Sequence, residues 1–147
     1  MSNVTALYHI VFCTKAREMV LPPDHLEDLY RFIWRKIEDT GCKLLRIGGI
    51  QNHVHLLVDL HQTVSLAKLV QDIKGHSSGW MKSDIRFRYF TGWAKEYFAS
   101  TVSPEHKYAV IEYIKNQKTH HNQVAFDEEL TELYHRADQQ LTSYDMR

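Results

Sequence analysis

"CKLLRIGGIQNHVHLLVDL" (residues 42–60) decides the fold. It reads as two short strands back to back, "CKLLRIGGI" (42–50) and the segment 53–60, joined by a turn at Gln51-Asn52. Gly48-Gly49 predicts a bulge near the end of the first strand. Side chains alternate across a strand, so in the second strand Val54, Leu56, Val58 and Leu60 leave on one face, the core face. His53 and His55 leave together on the other. Two imidazoles side by side either share one divalent ion or stand as polar residues on the wet side of a half-buried strand. The spacing alone leaves both readings open.

Working outward, "TALYHIVFCTK" (5–15) alternates as a strand, and Pro22-Pro23-Asp24 marks a turn and a helix start. "HLEDLYRFIWRKIEDTG" then places Leu26, Leu29, Ile33 and Ile37 at helical spacing, with Gly41 as its stop. Helical spacing returns in "SLAKLVQDIKGHSSGWMKSD" (65–84), through Leu66, Leu69, Val70 and Ile73, with Ser65 as the cap. An irregular connection follows (85–94), then a strand, "KEYFASTVS" (95–103), and a last main helix opened by Ser103-Pro104. The segment 122–147 holds a short helical pattern and a polar end. Strand, helix, two hairpin-linked strands, helix, strand, helix is the order of an α+β, ferredoxin-like (RRM-like) antiparallel sheet. Its helices are expected on one face, leaving the other free to work.

The 147 residues suit a single domain, 1–147, of ordinary globular composition, 44% hydrophobic and 24% charged. No apolar run approaches a membrane helix and the N-terminus has no signal-peptide pattern, so a cytoplasmic protein without membrane contact is expected. Cys13 and Cys42 have no metal or redox spacing and read as buried, reduced thiols. The zero net charge hides an asymmetry: residues 1–121 carry an excess of +4, and the acidic tail 122–147 an excess of −4. Lys74, Lys82, Arg86, Arg88 and Lys95 are interleaved with Trp80, Phe87, Tyr89, Phe90 and Trp93. That mixture suits backbone contacts and base stacking on single-stranded nucleic acid. It equally suits a solvated helix end whose aromatics pack inward. Lys15 and Arg17, after the first strand, are further candidates for phosphate contact or for plain surface positions.

The last helix, "PEHKYAVIEYIKNQKTHH", carries Val110, Ile111 and Ile114 as its apolar stripe. Gln117 continues that stripe, and Tyr113 sits one turn before it on the flank. A glutamine in line with a buried face needs a polar partner. On their own, both residues suit packing. Beside the histidine pair they suit phosphodiester cleavage through a protein-bound intermediate. Two imidazoles and an amide oxygen make three ligands of a divalent ion, and a tyrosine hydroxyl that loses its proton is a competent nucleophile.

The chain also resembles a known family, the single-tyrosine HUH transposases of the insertion-sequence 200/605 type. "HVHLLV" is similar to their HUH motif and "YIKNQ" to their tyrosine-helix motif. "YHIVFCTKAREMVL", "SLAKLVQDIKGHSS", "YFASTVSPEH" and "NQKTHHNQVAFDEEL" resemble the remaining segments in order, so the resemblance covers most of the chain. It implies the HUH endonuclease fold, with His53, His55 and Gln117 as metal ligands and Tyr113 as nucleophile. It also implies Mg²⁺ or Mn²⁺, no nucleotide cofactor, and single-stranded DNA with hairpin ends as partner. Cleavage would leave a 5′-phosphotyrosine and a free 3′-hydroxyl. A homodimer would build each site in trans, from one subunit's histidines and the other's tyrosine helix. A common family form has Asp where this chain has Asn52, which puts a carboxylate role beside the first histidine in doubt.

Two rival readings are a replication initiator or relaxase, and a non-catalytic module binding nucleic acid on an open sheet face through Tyr8 and Phe12. Against the first, Tyr108 is offset from Tyr113 by about 140° on a helix and faces elsewhere. Against the second, a pure binder has no need of the His53, His55, Tyr113 and Gln117 set. His9, His61, His76 and His106 show no usable ligand spacing, and His120-His121 suits a helix end.

Overall fold

The computed structural model describes residues 2–117, 128, 129, 132 and 133. Its elements follow the expected order: β1 (Leu7–Thr14), α1 (Leu26–Asp39), β2 (Lys43–Ile50), β3 (His53–Asp59), α2 (Leu66–Lys82), β4 (Trp93–Val102) and α3 (Lys107–Lys115). The four strands pair antiparallel in the order β2-β3-β1-β4, which puts the histidine strand inside the sheet. The punctuation works as read. Ser65 Oγ accepts a hydrogen bond from Lys68 N at 3.1 Å and starts α2. Gly41, at φ 85°, ends the turn after α1. Pro104 sits in a single 3₁₀ turn, Pro104–His106, that leads into α3.

One face of the sheet is apolar throughout. Ile10, Phe12, Val54, Leu56 and Val58 pack on Leu29, Ile33 and Ile37 of α1 and on Leu69, Val70 and Ile73 of α2. Each such side chain contributes about 1.5–3 kcal/mol by leaving water. Phe12 is buried in this core and Tyr8 packs against it, so neither is offered on an open face as the binding-module reading required.

The second face differs from expectation, because it is not left free. α3 lies across it, against β2 and β3. The reason is Leu7 and Leu57, apolar residues on that face, which Ile114 covers with Val110 and Ile111 beside it. The glycine pair also does something other than bulge. The register shift in β2 falls between Leu44 and Arg46, while Gly48 and Gly49 stay paired opposite His55 and Val54. A Cβ at Gly48 would stand 2.6 Å from the Ile114 carbonyl oxygen, so its absence is what lets α3 come this close. Cys42 is buried as expected, whereas Cys13 is only half-buried. Among the described residues no helix is long and apolar enough to cross a membrane. His120-His121 and most of the helical pattern read in 122–147 lie outside the described residues.

Candidate active site

The sheet and α3 enclose a polar cluster. His53 and His55 leave β3 toward α3, and both are fully buried, not wet as a half-buried strand would allow. Tyr113 leaves the last turn of α3, which ends at Lys115 and not beyond Gln117 as expected; Gln117 follows just past the helix's C-cap, Asn116, and both come down onto the histidines. Gln117 is buried, and its Oε1 lies 3.1 Å from His53 Nε2. Its Nε2 donates to the Tyr113 carbonyl at 3.3 Å. The half-buried Tyr113 ring stands edge-on to His55, with centroids 5.5 Å apart. All four residues singled out in the sequence therefore meet within one chain.

The structure adds three residues. Glu129, in the acidic tail, is 1% exposed. Its Oε1 lies 3.1 Å from His55 Nε2 and accepts hydrogen bonds from Tyr113 Oη and from Gln117 Nε2, the latter at 3.3 Å. Its Oε2 lies 3.8 Å from His53 Nε2. Nothing in "AFDEEL" (125–130) marks which of its three acids points inward. Asn52 Oδ1 stands 2.8 Å from His53 Nδ1, while Asn52 Nδ2 donates to the Arg17 carbonyl at 3.3 Å, which fixes the amide's orientation. At this position, where a common family form has Asp, the chain offers His53 Nδ1 an amide oxygen. His9, on β1, brings its Nε2 to 2.9 Å from His55 Nδ1. Burial, reinforced by His55 alongside, holds the His9 imidazole neutral, its pKa lowered to about 3.

The donor set fits a divalent ion. A His53 that donates from Nδ1 to Asn52 keeps its lone pair at Nε2. Both Nε2 atoms, the Gln117 amide oxygen and the Glu129 carboxylate then turn electron pairs toward one another. Ligand atoms of His53, His55 and Glu129 all lie within 4.8 Å of each other. Ligands at about 2.0–2.2 Å from a shared ion sit roughly 3–4 Å apart, so small adjustments complete such a site.

The basic residues divide. Lys74 Nζ donates to the carbonyls of Ala94 and Lys95 at 2.6 and 3.1 Å, tying α2 to β4, and burial lowers its pKa. Arg86 pairs with Asp84 at 2.8 Å and Asp28 at 2.6 Å. Those two brace the fold. Lys15, Arg17, Lys82 and Arg88 are exposed. Of the interleaved aromatics, Phe87, Phe90 and Trp93 are buried in the core, and Trp80 stacks on Phe32. Tyr89, 65% exposed with Arg88 over its ring, is the one left to solvent. The inward-packing reading of this stretch is the better one. Tyr108 is exposed on α3, away from the cluster.

The family to which this sheet and helix belong follows from the chain's likeness to known proteins. Residues 2–117 match the family described as IS200-like transposases, and the chain belongs to that family. It is 24% identical over 115 residues to the transposase of insertion sequence element IS200 from Salmonella typhimurium, covering 75% of each protein. It is 27% identical over 118 residues to the ISDra2 transposase TnpA of Deinococcus radiodurans, covering 75% of this chain and 82% of that one. Its fold is shared with a REP-associated tyrosine transposase bound to a REP hairpin, at a TM-score of 0.61 and 14% identity, over 84% of this chain and 76% of the other.

Proposed function

We propose that this chain is a single-domain transposase that cuts and rejoins single-stranded DNA at the hairpin-bearing ends of an insertion sequence, through a covalent bond to Tyr113. The observation that supports it is the convergence of His53, His55, Tyr113 and Gln117, drawn from a strand and a helix about sixty residues apart, on one buried point. His53, His55 and Gln117, joined by Glu129, would hold Mg²⁺ or Mn²⁺. Such an ion, when bound, supplies Lewis-acid polarisation of the scissile phosphate. Tyr113 Oη already donates to Glu129, so that carboxylate is placed to receive the phenolic proton as the oxygen attacks phosphorus. The Oη–phosphorus bond forms and the phosphorus–O3′ bond breaks, leaving a 5′-phosphotyrosine and a 3′-hydroxyl. A second 3′-hydroxyl reverses the step on a new end. Bond energy is conserved throughout, so no nucleotide cofactor enters. Lys15, Arg17, Lys82 and Arg88 are the exposed cations best suited to the DNA backbone.

The test is incubation with labelled single-stranded element ends and Mg²⁺ or Mn²⁺. A covalent adduct on a denaturing gel is expected from the wild type and none from Tyr113→Phe, with hairpin binding unchanged. Adduct formation by the phenylalanine variant would transfer the role to another nucleophile. Fully paired duplex should not be cut.

The reading includes a homodimer. Its expected trans sites would exchange the α3 helices, each leaving a seat that in one chain its own α3 fills. A mixed dimer of Tyr113→Phe with His53→Ala decides the arrangement. Trans sites restore the adduct, on the His53→Ala chain, whereas cis sites leave the mixture inactive.

A further inference from the structure

His53 and His55 need the same thing if both are to offer Nε2 to an ion, namely an acceptor at Nδ1 that holds the proton there. For His53 the acceptor is its sequence neighbour, Asn52. For His55 it comes from across the sheet. His9 faces Leu57 in the β1–β3 ladder, which makes His55 its diagonal neighbour on the same face. The two rings stack at 5.1 Å with 22° between their planes, and His9 Nε2 meets His55 Nδ1 at 2.9 Å. The His9 ring is itself held, edge-on, by Phe98 at 6.0 Å and Tyr113 at 5.9 Å. Packing on both sides therefore fixes where the acceptor points.

We propose that His9 is a positioning residue of the site, accepting the His55 Nδ1 proton and so locking His55 in the tautomer and orientation that direct Nε2 at the ion. The inference rests on the metal-site reading above. It assigns a role to a histidine that has no ligand spacing of its own. The hydrogen bond acts on affinity, because a His55 free to carry its proton on Nε2 has no lone pair to give there.

His9→Phe keeps an aromatic ring in the stack and removes the acceptor. Calorimetric titration should show its Mn²⁺ affinity weakened by about 10- to 100-fold. His9→Gln, whose amide oxygen can accept, should recover most of the loss. His9→Leu, smaller and equally unable to accept, repeats the test if the larger ring is not accommodated. The second measurement is the His55 tautomer in metal-free protein carrying Glu129→Ala, since the carboxylate 3.1 Å from His55 Nε2 would otherwise hold a proton there, read from long-range proton–nitrogen correlations. With His9 present the proton should sit on Nδ1, and with His9→Phe it should shift toward Nε2. A variant without an acceptor that keeps both wild-type affinity and wild-type tautomer overturns the proposal, even if it melts earlier, since His9 would then be packing alone. A wild type that binds no Mn²⁺ would remove the metal reading, while the tautomer would still decide whether His9 orients His55.

Discussion

The two faces of the sheet are built to opposite rules. Alternate residues of β3 send Val54, Leu56 and Val58 into an apolar layer under α1 and α2, and His53 and His55 into a polar cluster under α3. The first face gains stability by excluding water from side chains that need no partner in particular. The second also excludes water, but around polar groups, and it sets polar atoms beside each ring: Asn52 and Gln117 beside His53, His9 and Glu129 beside His55. Buried polar groups arranged this way contribute less to folding than an apolar layer would. They leave a rigid set of electron-pair donors. Apolar packing makes up the one face, while the other joins a smaller apolar contact, Leu7 and Leu57 under Ile114, to the polar cluster.

The largest effect on the polar face belongs to His53→Ala or His55→Ala. Either should abolish adduct formation and leave Mn²⁺ binding hard to detect by calorimetry, while circular dichroism keeps its native shape, because the apolar face is untouched. Unchanged Mn²⁺ affinity in both variants would make the histidines structural. The mirror experiment is Leu56→Ala, one residue further along the strand. It should cost about 2–5 kcal/mol in urea denaturation through the cavity it opens. The fraction still folded should bind Mn²⁺ normally. Equal effects on affinity from both faces would erase the distinction.

Gly48→Ala tests the hinge between the faces. Its methyl group would collide with the Ile114 carbonyl, 2.6 Å away, and lift α3 from β2. A stability loss of about 1–3 kcal/mol is expected, together with a disproportionate fall in adduct yield, since Tyr113 rides on that helix and Gln117 directly follows it. A variant that loses stability but cleaves at the wild-type rate would show that α3 need not sit so close. The smallest effect belongs to Asn52→Asp. A carboxylate can accept from His53 Nδ1 as the amide does, losing only the 3.3 Å bond to the Arg17 carbonyl. Mn²⁺ affinity should hold or rise slightly. Loss of affinity on the scale of a removed ligand would mean that Asn52 acts through its NH₂ group.

The strands, helices and their order could be read from the sequence, because each rests on local periodicity: two for a strand, 3.6 for a helix, with Ser65 and Gly41 as punctuation. So could the central pairings of the site. His53 and His55 share a face by strand geometry alone, and Tyr113 and Gln117 share one by a single helical turn. What local pattern cannot carry is which surfaces meet. The basic stretch 74–95 showed that its residue types suited nucleic acid, but only packing revealed Lys74 and Arg86 spent on the fold and Phe87, Phe90 and Trp93 in the core. The glycines of β2 suggested a bulge until α3 was seen to need the missing side chain of Gly48.

The sequence by itself determined a ferredoxin-like sheet, a histidine pair and a tyrosine helix that could face it. The tertiary structure alone decided that α3 covers the second face, that Glu129 enters the site from the acidic tail, and that His9 and Asn52 stand behind the two histidines. The reason is range. Periodicity is written into neighbouring residues, whereas the partner of a buried polar atom is chosen by strand register and helix docking, which join residues dozens of positions apart.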